Sequence, residues 1–271
     1  LAGLAACIFV SVSLGIAPGG SYEENGEFRW GPVTISAKDR NFVSGWAAWN
    51  FTGYESRAEF PTYESLVQTM KELGKDVGCG RALWEYDRDE LGSYGTPMAP
   101  MLLPYWTDGC IGSMEGLYFE SSATVPFHFL MQSELSANPS RPMRGLDYRG
   151  LDLESGIRHM QLSGVRYYLA FSSDAVQEAE QYPDQLELIA RSDPWRIYLV
   201  ANSELVEGLK FEPNVVAQGD LGGRNWTDPS MMWFNDRIRS QVTVTDGGPD
   251  DWHRININEP SFLGRTSFGE P

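Results

Sequence analysis

Histidine and cysteine are scarce in this chain, with three of each among 271 residues. Beyond the N-terminal segment only Cys79 and Cys110 remain, and neither sits in a Cys-x-x-Cys arrangement, so a zinc site is not expected. No phosphate-binding glycine loop, Gly-x-Ser-x-Gly elbow or His-Glu-x-x-His helix occurs, and no cofactor is expected. Positive charge is short as well: 21 Lys and Arg stand against 37 Asp and Glu, a net charge of -16. Such a charge repels polyphosphate backbones and argues against nucleic acid as a partner. It allows a solubilising surface, and it allows sugars, which are neutral and bind through aromatic faces and polar side chains. Internal repeats and low-complexity tracts are also missing. With 42% hydrophobic residues and 9 Trp, 12 Tyr and 13 Phe, the chain has the material for a folded core.

What is present first is an apolar start. Residues 1–17 carry no charged side chain, and seventeen helical residues reach roughly 25 Å, somewhat less than a hydrocarbon core. Residues 1–20 are therefore expected to be the end of a transmembrane helix closed by Pro18-Gly19-Gly20. A trimmed signal, a lipoprotein box at Leu4-Ala5-Ala6-Cys7 and a buried soluble helix stay open as alternatives. Glu23, Glu24 and Glu27 precede the first cation, Arg29, and an acidic flank suggests that the rest of the chain faces away from the cytoplasm. In that setting Cys79 and Cys110 are candidates for one disulfide, the alternative being two separate buried thiols.

The remaining length suits one large domain or two small ones. Val33–Ser36 reads as a strand. Thr62 is a candidate N-cap for a helix whose face carries Leu66, Val67, Met70 and Leu73, with Gly74 as its stop. Arg81–Tyr86 reads as a strand, whereas 92–126 is rich in Gly, Pro, Ser and aromatics and shows no sustained period. Leu153–Ser163 is helical in pattern and closed by Gly164. Val165–Phe171 is a β-branched and aromatic strand. Ser173 or Asp174 caps a helix through Gln181, and Leu186–Ala190 pairs with Trp195–Val200 around Ser192-Asp193-Pro194. Gln241–Thr245 and Trp252–Ile257 read as further strands. The expected fold is α+β: an extracytoplasmic domain over 21–205, with a small mixed sheet and flanking helices, then a truncated, sandwich-like β-rich segment over 206–271.

One series of motifs resembles a known family. It comprises Gly80-Arg81-Ala82-Leu83-Trp84-Glu85-Tyr86, Leu102-Leu103-Pro104-Tyr105-Trp106-Thr107, Ser113-Met114-Glu115-Gly116-Leu117-Tyr118-Phe119-Glu120 and Leu162-Ser163-Gly164-Val165-Arg166-Tyr167-Tyr168. The series is similar to the polytopic bacterial membrane proteins of the YfhO-like and 6-pyruvoyl-tetrahydropterin-synthase-related kind, which are treated as GT-C-type glycosyltransferases. It covers roughly residues 60 to 205, with Ile197-Tyr198-Leu199-Val200-Ala201-Asn202 in the place of a closing tyrosine–asparagine element. Arg166 and Ser163 depart from the pattern, where Lys and Leu or Gly are usual. The resemblance implies an extracytoplasmic, substrate-facing or structural domain at the bacterial cell membrane. It further implies a polyprenyl-phosphate sugar donor, cell-envelope glycan as product, and a catalytic acid upstream of Leu1.

Candidate substrate contacts are Arg81, Trp106, Asp108, Glu115, Tyr118 and Glu120. Aromatic faces of Trp84, Tyr105, Trp106, Tyr118 and Phe119 could stack on sugar rings, although buried core aromatics would read the same way. Glu115 and Glu120 would serve a glycosidase as acid and base, the alternative to a non-catalytic carbohydrate-binding module. Arg81 and Glu85 would share a strand face and form an ion pair. His128 could act as a general base or be hydrogen-bonded in the core. Asn50-Phe51-Thr52 and Asn225-Trp226-Thr227 fit the N-glycosylation pattern.

Overall fold

The computed structural model describes residues 2–13, 15–23, 27–35, 58–114, 122–209, 211–216, 227–237, 240 and 242–255. The chain divides into two compact units, Leu1–Phe60 and Pro61–Pro271.

In the first unit the apolar run forms helix α1, Ala2–Ser13. The helix stops before Pro18 because Gly15 adopts a left-handed φ of 72°. Strands β1 (Ser21–Tyr22), β2 (Phe28–Trp30) and β3 (Val33–Ile35) then make an antiparallel meander. Phe28 buries Val12 and Ala17 beneath it. The expected transmembrane stub over 1–20 is thus corrected to twelve helical residues, about 18 Å at the α-helical rise. Among the described residues no helix is long and apolar enough to cross a membrane. Leu4, Ile8, Phe9 and Val10 nevertheless remain exposed. Of the acidic flank, Glu23 pairs with Arg29 at 3.1 Å.

The second unit is built on a five-stranded mixed sheet. Its strands are β4 (Gly80–Trp84), β5 (Ile111–Ser113), β6 (Val165–Ala170), β7 (Leu186–Ser192) and β8 (Trp195–Val200), in the order β5-β4-β6-β8-β7. The first three are parallel, and β8 and β7 complete the sheet as an antiparallel hairpin. Parallel neighbours need long connections, and helices supply them. Between β4 and β5 run α3 (Arg88–Gly92), a 3₁₀ turn at Ala99–Leu102 and α4 (Leu103–Trp106); between β5 and β6 run α5 (Val125–Glu134) and α6 (Leu153–Leu162). Strand β6 is covered on both faces, so Tyr167, Tyr168, Leu169 and Ala170 are all fully buried and read as one apolar run.

Helix α2, Phe60–Asp76, buries Tyr63, Leu66, Val67, Met70 and Leu73 at helical spacing. Gly74 lies inside this helix rather than ending it. A Cβ there would stand 2.8 Å from Cys110 Sγ, so the glycine is required by close approach of the sulfur. The stop is Gly78, with φ 122°, and Arg166 Nη2 donates to Val77 O at 2.9 Å just before it. Cys79 and Cys110 are bonded, their Cα atoms 4.7 Å apart, tying the start of β4 to the start of β5. Across a separation of 31 residues the chain-entropy model assigns such a bridge about 4 kcal/mol, acting through the unfolded state.

Helix α6 follows the sequence expectation closely. Asp152 caps it by accepting from Ser155 N at 3.2 Å, and Gly164, φ 62°, closes it. The next helix, α7 (Ser173–Ala179), is capped one residue earlier than expected, with Ser172 Oγ accepting from Ala175 N. The segment after 206 departs from the sandwich expectation. Here β9 (Asn214–Val216) pairs in parallel with β10 (Val244–Thr245) and with β11 (Arg254–Ile255). Helix α8 (Thr227–Asn235) lies between β9 and β10 in sequence and sends Met231 and Phe234 into the core around α5 and α6.

Candidate functional site

Two of the expected contacts, Trp106 and Asp108, lie close in sequence around the turn between α4 and β5. Trp106 is half-buried and donates from Nε1 to Tyr63 Oη at 3.0 Å, while Tyr63 Oη donates to Ala99 O at 2.9 Å. It is therefore a packing residue, with the exposed Tyr105 ring edge-on at 4.9 Å. Asp108 is exposed in a left-handed turn conformation, φ 52°. Arg81 joins neither of them; its Nη1 donates to Ser163 O at the end of α6. Glu115, Tyr118 and Glu120 lie outside the described residues, as do Phe119, the whole Asn50-Phe51-Thr52 pattern and Asn225 and Trp226 of the second glycosylation pattern. Trp84 is fully buried, and His128 is buried on α5 beside Phe129.

The expected Arg81–Glu85 ion pair does not form. Strand β4 ends at Trp84, which releases Glu85 from the alternation that would have put both side chains on one face. Its carboxylate is fully buried and accepts from three backbone amides: Phe171 N and Ser172 N, each at 2.8 Å, and Ala137 N at 3.4 Å. Beside it, Tyr168 is buried and donates to Leu135 O. Burial first, and then the Glu85 charge, push the Tyr168 hydroxyl well above the ordinary tyrosine range.

A concavity lies elsewhere, along the polar face of α6. It is an open cleft of about 660 Å³. Glu154, Ser155, Arg158 and Gln161 line it from α6, at offsets that share one helical face. The opposite face of the helix, with Leu153, Gly156, Ile157, His159 and Met160, is buried. Arg149 and Tyr182 approach from the flanking loops and Arg237 from the end of α8. Three of the chain's 21 basic residues thus meet in one cleft of a strongly acidic molecule.

A buried chain of hydrogen bonds fixes its centre. Glu134 Oε2 on α5 lies 2.5 Å from His159 Nδ1, and His159 Nε2 donates to Phe234 O at 2.9 Å. The same carbonyl accepts from Arg158 Nη1 at 3.2 Å, which also donates to Ser240 Oγ at 2.9 Å. The Phe234 ring stacks on the imidazole, centroids 3.6 Å apart. Glu134 and His159 are almost wholly enclosed, so one proton held between them links α5, α6 and α8 and sets the guanidinium of Arg158. Burial lowers the pKa of Arg158, the Glu134 charge opposes that shift, and Arg149 and Arg237 add to it. Arg237 pairs with Glu154 at 2.8 Å, and Arg149 reaches Ser155 Oγ at 3.1 Å and Asp152 at 3.9 Å.

Sequence reasoning missed this cleft because Glu154, Arg158 and Gln161 look like the solvated stripe of any amphipathic helix. Arg149 stands in the loop just before α6, but Arg237 comes from a distant segment, so no local motif announces the cluster. The one available signal was the scarcity of Arg and Lys, which makes each one on α6 more informative. Among the described residues no group of three or more His, Cys, Asp or Glu is placed to hold a metal ion. Comparisons of the chain with protein-family models, with curated proteins and with solved structures return no match.

Proposed function

We propose that this chain is the extracytoplasmic, glycan-binding part of a bacterial membrane protein of the cell-envelope glycosyltransferase kind, and that the α6 cleft holds the sugar. The observation that carries the reading is the lining of that cleft. Planar side chains (Arg158, Gln185 and Asn202), together with Glu154, are the groups that make paired hydrogen bonds to vicinal hydroxyls, Gln161 keeps its amide oxygen while its Nε2 donates to Ala201 O at 2.8 Å, and Tyr182 adds an aromatic wall. A volume of about 660 Å³ falls within the range of small-ligand sites. The Cys79–Cys110 bond supports an oxidising compartment. The exposed apolar side chains of α1 support attachment to a membrane.

Location is tested with Gln177→Cys, an exposed position on α7. The substituted thiol is expected to react with a membrane-impermeant maleimide in intact cells, and labelling only after lysis would refute the placement. Binding is tested on the full chain in detergent with a panel of neutral and acidic envelope oligosaccharides. Gln185→Ala and Tyr182→Ala are expected to weaken the best ligand about tenfold, the scale of one lost polar contact with its aromatic neighbour. Failure of every oligosaccharide to bind would overturn the reading. Turnover is not expected; hydrolysis that disappears in Glu115→Gln would replace this proposal by the glycosidase alternative.

A further inference from the structure

Resting on the glycan-binding reading, we propose that the α6 cleft selects an acidic glycan and seats one sugar carboxylate on the Arg158 guanidinium. Arg158 lines the cleft and donates through Nη1 alone among the described residues, to Phe234 O and Ser240 Oγ. With Nη1 committed, the edge formed by Nε and Nη2 remains, and neither atom is enclosed without a partner. Two parallel N–H donors on one edge match the two oxygens of a carboxylate. The fork is held still from behind, since Phe234 O is itself gripped by His159, which Glu134 holds at 2.5 Å. Preorganisation of this kind lowers the ordering cost of binding.

Charge points the same way. Arg237 is already paired with Glu154, and Arg149 leans toward Asp152, so Arg158 is the cation whose charge no carboxylate contacts directly. The lining holds three arginines and two glutamates, Glu154 and Glu207, and with Asp152 beside Arg149 the arginine left without a carboxylate in direct contact is Arg158. The two coplanar oxygens of a carboxylate match the Nε–Nη2 edge of that guanidinium. Burial, and after the opposing Glu134 charge the like charges of Arg149 and Arg237, bear on Arg158, and a bound anion would offset them. The rest of a molecule at net charge -16 repels such a ligand at long range, so binding is expected to gain little in rate from electrostatic steering.

The test is calorimetry on the full chain in detergent with three probes: a glucuronate-terminated tetrasaccharide, the same compound with its carboxyl reduced to a primary alcohol, and the corresponding sugar phosphate. The uronate is expected to bind at least tenfold more tightly than its neutral analogue. In Arg158→Gln that ratio is expected to fall to about one, and in Arg158→Lys, which keeps charge without the fork, to an intermediate value. Should Arg158→Gln fail to fold, Arg149→Gln at an exposed position is expected to reduce the ratio roughly threefold. Equal binding of uronate and neutral sugar by the parent chain would overturn the inference while leaving glycan binding standing. No binding of any probe would remove both. A tenfold preference for the phosphate over the uronate would overturn the assignment to a carboxylate. An unchanged ratio in every folded arginine variant would show that the acid is read somewhere else.

Discussion

Glu85→Ala is expected to cost the fold about 4 kcal/mol or more, the largest effect of any single polar substitution proposed for this chain. The change leaves the amides of Phe171, Ser172 and Ala137 without their acceptor in a fully buried place. Each buried orphaned donor costs roughly 1–3 kcal/mol, and the missing side chain adds a void. For a folded unit of this size about 1 kcal/mol corresponds to roughly 2–4 °C, so a fall of 10 °C or more in Tm is expected. Glu85→Gln should lie between, because its amide keeps one accepting oxygen and turns a donor toward the remaining N–H groups. Urea unfolding of the three proteins side by side is the measurement. A loss under 1 kcal/mol for Glu85→Ala would mean that water replaces the carboxylate without penalty.

The second large effect belongs to the pair behind the cleft. His159→Leu or Glu134→Leu alone is expected to destabilise by about 3–5 kcal/mol, since each leaves the other group enclosed and unmatched. The double Leu variant should lose less than the sum of the two. An apolar pair needs no shared proton, and replacement of a buried ion pair by well-packed apolar groups is often close to neutral. A double-mutant cycle should therefore return a coupling of at least about 3 kcal/mol. Additive single losses would reduce the short contact to two independent packing positions. The same variants bear on the cleft: with His159 gone, Phe234 O loses one of its two donors, and Arg158 should hold its ligand more loosely even where the protein stays folded.

Much of the second unit was legible because its signals are local. The cap at Asp152 and the glycine at 164 bracket α6, and a run of β-branched and aromatic residues marks β6. A turn at Ser192-Asp193-Pro194 separates β7 from β8. Helix α5 was not legible, since nearly every residue from Val125 to Glu134 is buried and a helix covered all round has no polar face to give it a period. Strand β5 is only three residues long, and its place at the sheet edge depends on pairing with β4 rather than on its own composition. Gly74 misled for a physical reason: a glycine demanded by a neighbouring sulfur looks in sequence like one that ends a helix.

The candidate site was harder still. Trp106 and Arg81 have side chains that suit a ligand, yet Tyr63 takes the one N–H of Trp106, and Arg81 is tied through Nη1 to the Ser163 carbonyl away from the α6 cleft lining. Residue type alone cannot tell a donor already used inside the fold from one still available. What distinguishes Arg158 is a set of contacts made by side chains from three helices and a loop. That arrangement exists only after α5, α6 and α8 have come together.

The buried carboxylate of Glu85 has one further consequence. Strand β4 lies between β5 and β6, so the order of the parallel strands reverses there, and the crevice at the carboxyl ends of β4 and β6 is a topological switch point. Open α/β sheets characteristically receive the phosphates of nucleotides at such a point, on backbone amides like those that open the helix after β6. In this chain Glu85, the residue directly after β4, reaches across and occupies the amides of Phe171 and Ser172 directly after β6. A carboxylate of the protein thus occupies the amides that such a sheet offers to an anion. An external anion could reach those amides only by displacing Glu85 first.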